Sequence, residues 1–110
     1  MYRVRLTDEF KRDMKKLPCL IKGKGLVLRE VKQEIKETID LLINEGVLPE
    51  EYNDHTLERR PWSGINEYHV FNDVLILYVR VDSHRSIRMI GIRTHETLAA
   101  GLSVLDCTDM

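Results

Sequence analysis

Residues 65–81 read INEYHVFNDVLILYVRV, and this stretch decides the fold. Two runs rich in β-branched and aromatic residues, Ile65 to Phe71 and Val74 to Val81, flank Asn72-Asp73, a turn-forming pair, which predicts an antiparallel hairpin. Asp82-Ser83-His84 then turns the chain into a third run, Arg85 to Arg93. A meander of about three strands needs cover for its apolar face, and the N-terminal half supplies candidates.

Tyr2, Val4 and Leu6 alternate with Arg3 and Arg5, the period of a strand with one buried face. Thr7-Asp8 offers an N-cap for a helix from about Asp8 to Leu17, which Pro18 is expected to end. Leu28, Val31, Ile35, Ile39 and Leu42 recur at three and four, so residues 26 to 45 predict a long amphipathic helix closed by Gly46. From Asn53 to Gly64 the chain reads as loop or short strand, and Thr94 is placed to cap a short C-terminal helix starting near His95. The sum is an α+β domain over residues 1 to 110: an N-terminal strand, two helices on one sheet face, an antiparallel sheet of three to four strands and a short last helix.

The 32% charged and 43% hydrophobic composition is that of a soluble globular chain. The longest apolar run, Val74 to Val79, is far too short to cross a bilayer, and the first six residues lack a signal peptide's apolar core, so a cytoplasmic protein is expected. Cys19 and Cys107 lie far apart with no CxxC, which favours two reduced thiols over a disulfide or a zinc site. The net charge of −1 hides an asymmetry: residues 1 to 36 carry eleven Lys or Arg against five Asp or Glu, while residues 37 to 54 carry six acids and no base. The basic third, including Lys15 and Lys16, suits phosphate contacts, although a solvated helix face has the same composition.

All four histidines fall between His55 and His95, together with Asp73, Arg88 and Arg93. Imidazole, carboxylate and guanidinium are the parts that RNA cleavage needs without a metal: a base for the 2′-OH, an acid for the 5′-oxygen, and a cation for the crowded phosphorane. A metal site from His55, His69 and His95 is the weaker reading, because no pair has dedicated ligand spacing, and no cofactor is expected. His84 sits in a turn and reads as a surface residue; Trp62 reads as packing, or as a base-stacking side chain beside a basic groove.

The ordered set Asp54-His55-Thr56-Leu57, Trp62-Ser63-Gly64, Glu67-Tyr68-His69-Val70, Asp73, Leu75-Ile76-Leu77-Tyr78 and Arg93-Thr94-His95 resembles the YafQ branch of the RelE-type bacterial toxins. The resemblance covers residues 2 to about 99. It implies a microbial RNase-like fold, the toxin of a type II toxin–antitoxin pair, cleavage of mRNA on the ribosome, and a cognate antitoxin. By position, His55, His69, Asp73 and His95 match the family's catalytic group, with His95 as acid, Asp73 or His69 as base, and His55 orienting the phosphate. Where the family has aromatic residues this chain has Val74 and Ala99, so stacking is expected to be weaker or to use another residue, such as Trp62 or Phe71. Gly91 stands where the family places an arginine; Arg93 shares its strand parity and is preferred as the phosphate-stabilising cation over Arg88, of opposite parity and assigned to RNA binding. Two alternatives remain: a non-enzymatic gyrase-binding toxin of the ParE type, and a catalytically weak module acting through its antitoxin.

Overall fold

Tyr68, Val70, Val74, Ile76, Tyr78, Ile87, Met89 and Ile92 line the buried face of one sheet in the computed structural model, which describes residues 1–57, 64–71 and 73–94. The sheet has five strands in the order β1-β5-β4-β3-β2. They are β1 (Arg3–Leu6), β2 (His55–Thr56), β3 (Asn66–Val70), β4 (Val74–Val81) and β5 (Ser86–Arg93). The hairpin and the meander form as the residue pattern predicts, with β3, β4 and β5 antiparallel. β1 adds to the far edge in parallel to β5, a pairing that no local pattern announces. β2 is the short strand of the expected loop region and pairs antiparallel with β3.

Helix α1 (Asp8–Lys15) starts under a Thr7 cap whose hydroxyl accepts the Phe10 N–H. Pro18 does not simply end it. The chain breaks at Lys16 and restarts as α2 (Leu17–Leu20) with the proline in the first turn, where a missing N–H costs nothing. Helix α3 (Leu28–Glu45) buries Val31, Ile35, Thr38 and Leu42, one residue per turn along one stripe. Gly46 closes it at φ 75°, with the Tyr2 ring packed where a Cβ would stand. The core is thus the stripe of α3 and Phe10, Leu17 and Leu20 laid on the sheet.

The pairing of β4 with β5 shifts between Leu77, opposite Gly91, and Tyr78, opposite Met89, so Ile90 is an extra residue. The bulge corrects the parity reading of the last strand. Arg93, Gly91 and Arg88 face Leu75, Leu77 and Val79 in turn, and so all three share one sheet face. Cys19 is disulfide-bonded, which corrects the expectation of a reduced thiol; sequence separation says nothing about distance in the fold. The predicted C-terminal helix lies outside the described residues, and no described helix is long and apolar enough to cross a membrane.

Candidate active site

The sheet face opposite α3 carries the candidate chemistry. His55 stands directly across from Glu67, and His69 follows two residues on, so all three side chains leave the same side of β2 and β3. Local sequence fixes this arrangement. A 3-10 turn at Glu50–Tyr52 ends in Asn53 at φ 52°, a left-handed conformation that asparagine tolerates, and the chain swings into β2. Asp54 then points to the helix side, where its two carboxylate oxygens accept from the Tyr78 hydroxyl at 2.7 and 2.6 Å. Burial pushes the Asp54 carboxyl above the ordinary value of 3.8, against the pull of that bond. With Asp54 pinned below, His55 emerges above.

Glu67 is the centre of the group. One oxygen, Oε1, lies 3.0 Å from Nε2 of His69 and 3.3 Å from Nε2 of His55, while the residue itself is only 4% exposed. Its other oxygen is buried without a hydrogen-bond partner among the described residues. Nδ1 of His55 lies 2.9 Å from the Asn53 carbonyl, which can only accept, so Nδ1 carries a proton and donates it. Nε2 of His55 therefore meets a carboxylate oxygen favourably when the ring is an imidazolium or when another cation stands between them. His69 also borders a pocket of about 160 Å³ with Glu34, Glu51, Tyr52 and Phe71.

The other expected residues lie in different places. Asp73, at the hairpin tip, pairs with Lys24 at 2.5 Å. Arg93 is buried, 3% exposed, with Nη1 donating to Asp13 Oδ2 at 2.9 Å and to the Ile92 carbonyl at 2.8 Å. The reason is an edge problem. β1 ends opposite Met89, so beyond that point no described strand covers the outer edge of β5, and Asp13 from α1 accepts the Ile92 N–H there at 2.9 Å. Burial raises the Asp13 carboxyl above 3.8, although the Ile92 N–H and Arg93 both favour its charged form. Arg88 is exposed and paired in register with Arg5; the two line a shallow groove with Lys11. Lys15 and Lys16 are exposed at the end of α1. Trp62 and His95 lie outside the described residues.

Two residues escaped the sequence reading. Glu67 looked like the polar half of an alternating strand, and only its period-two relation to His69 hinted at a shared face. Asp54 looked like a loop residue.

The family model for the YafQ toxin, the bacterial toxin of a type II toxin–antitoxin system, matches residues 2–100. No curated protein sequence matches. Among solved structures, the E. coli DinJ-YafQ complex matches at 26% identity and TM-score 0.65, over 89% of this chain and 98% of that one. YafQ from E. coli strain BL21(DE3) matches at 25% and 0.66 over the same shares, and a metal-bound toxin from Helicobacter pylori at 21% and 0.66 over 89% and 99%.

Proposed function

The chain belongs to the YafQ family of bacterial type II toxins, and from that premise we propose that it is a ribosome-dependent, metal-independent mRNA endonuclease restrained by a cognate antitoxin. The observation that carries the reading is the meeting of two imidazoles, from different strands, on one buried carboxylate. Stability does not call for it. Burying a carboxylate is costly, and Glu67 keeps one oxygen unsatisfied in doing so.

Glu67 accepts the Nε2 proton of His69, which fixes that ring's tautomer and leaves the basic lone pair on Nδ1. That nitrogen takes the proton of the 2′-OH, the 2′-oxygen attacks phosphorus, and the P–O5′ bond breaks to give a 2′,3′-cyclic phosphate. His55 as imidazolium stabilises the added charge on the phosphorane. His95, by family position, returns a proton to the departing 5′-oxygen. Asp73, paired with Lys24, orders the hairpin tip beside the strand that carries His69. Arg93 acts as a positioning residue that holds the end of β5, next to the Thr94-His95 step. Arg88 and Arg5 remain to contact RNA phosphates.

The first test is cleavage of one mRNA by the purified toxin, translated and untranslated, beside His69→Ala. Cuts only under translation, reduced about 10²–10⁴-fold by the substitution, are expected. Equal cutting of untranslated RNA, or none by the intact protein, contradicts the reading.

A further inference from the structure

We propose that the pocket beside His69 reads one base of the RNA, with Phe71 as the stacking platform and Glu34 as the acceptor for the base edge, and that the base it selects is guanine. The pocket stands on its own geometry; its place next to the scissile phosphate rests on the nuclease reading. β2 pairs only with Asn66 and Glu67, so beyond them no described strand covers the outer edge of β3. A pocket of about 160 Å³ opens there, walled by His69 and Phe71 from the hairpin, Glu51 and Tyr52 from the 3-10 turn, and Glu34 from α3. Phe71 also lines a second hollow on α3 with Arg29 and Gln33, so it stands between the two.

Two features of Phe71 run against local physics. Its φ is 54°, a left-handed backbone that glycine or asparagine holds easily and a bulky residue holds under strain. The residue is also 44% exposed, so burial does little to offset that strain. An exposed aromatic residue at the mouth of a polar pocket suits a nucleobase, because every base offers a π-face to stack on it. Glu34 supplies the choice among bases. The Tyr52 hydroxyl donates to Glu34 Oε1 at 2.5 Å and fixes the carboxylate in the wall. Burial first, and then Glu34 itself, push that hydroxyl above its ordinary value of 10, so it keeps its proton and remains a donor. A carboxylate only accepts, and its two oxygens have room for more than the Tyr52 bond. Guanine sets two donors side by side on its Watson–Crick edge, N1–H and the N2 amine, which match a carboxylate as a pair. Adenine and cytosine set a ring acceptor beside their amine, and uracil flanks its single donor with two carbonyls, so each turns a lone pair toward the acidic wall. Arg29, exposed on the far side of Phe71, is placed for a neighbouring phosphate.

The test is fluorescence anisotropy of the whole protein with 2′-O-methyl oligouridylates, which cannot be cut, each carrying one central G, A, C or U. Mapping of mRNA cuts in a translating extract follows. The guanine oligonucleotide is expected to bind at least about tenfold more tightly than the other three. Phe71→Gly removes the ring and relieves the backbone, so its urea midpoint should hold or rise while guanine binding falls about tenfold; Phe71→Tyr should keep that binding. Glu34→Gln, checked for folding by circular dichroism, should bind all four about equally. Equal binding of the four bases by the parent, or none, overturns the pocket. A Phe71→Gly protein that loses stability yet keeps guanine binding makes the ring structural and overturns its role. Guanine binding by a protein that never cuts mRNA fails the nuclease reading and leaves the pocket standing, while cuts with no guanine beside them overturn the pocket's place in the reaction.

Discussion

At the scale of single residues, burial separates the two arginines that sequence could only rank by parity. Arg93 and Asp13 are 3% and 2% exposed and meet at 2.9 Å, so removing either leaves an uncompensated charge in the interior. Arg93→Ala is expected to cost about 3–5 kcal/mol in urea unfolding, and its loss of activity should follow its loss of fold. Arg88→Ala, exposed on the same face, should leave the urea midpoint unchanged and weaken RNA binding with a smaller salt slope. A stable Arg93→Ala protein would refute the positioning role. Strand parity breaks at Ile90, where one extra residue in β5 reverses the face of everything before it; alternation alone carries no sign of a bulge.

At the scale of elements, legibility followed the range of the interactions. The long helix, its Gly46 stop and the β3–β4 hairpin rest on contacts between near neighbours, and the residues for them stand in order along the chain. The parallel β1–β5 pair joins Arg3 to Ser86 and Leu6 to Met89, partners that no local pattern links. Gly46 ties the two kinds together: its left-handed backbone ends α3, its carbonyl accepts from Arg80 at 2.6 Å, and the Tyr2 ring fills the place of its Cβ. Gly46→Ala should therefore destabilise by more than the ~1 kcal/mol that a left-handed alanine costs alone, because the ring must also move. An unchanged midpoint of thermal unfolding would contradict this. Thr7→Ala should cost about 1 kcal/mol through the lost cap, without disturbing the site.

At the scale of the whole molecule, the helix layer buries its charges reluctantly and the opposite sheet face carries the candidate site, His55, Glu67 and His69. Asp13 and Asp54 both ionise above their ordinary 3.8, chiefly through burial. A raised carboxyl contributes stability that is complete below about 3.8 and is lost as pH rises through the folded value. The stability of the parent relative to Asp54→Asn should accordingly fall as pH climbs from below 3.8 toward neutrality; a difference independent of pH would rule out burial of the ionised carboxylate as the cause. The histidines were legible because imidazole is rare and chemically pointed. Glu67 was not, since a strand glutamate is ordinary until β2 pairs beside it. We propose that this buried glutamate aligns two histidines for RNA cleavage. The measurement that tests it most directly is primer-extension mapping of mRNA cuts in a translating extract with the parent protein and Glu67→Gln, which keeps shape and removes the charge. Ribosome-dependent cuts are expected, falling about a hundredfold or more in the variant, with the fold intact. Cuts of equal strength from Glu67→Gln would contradict it.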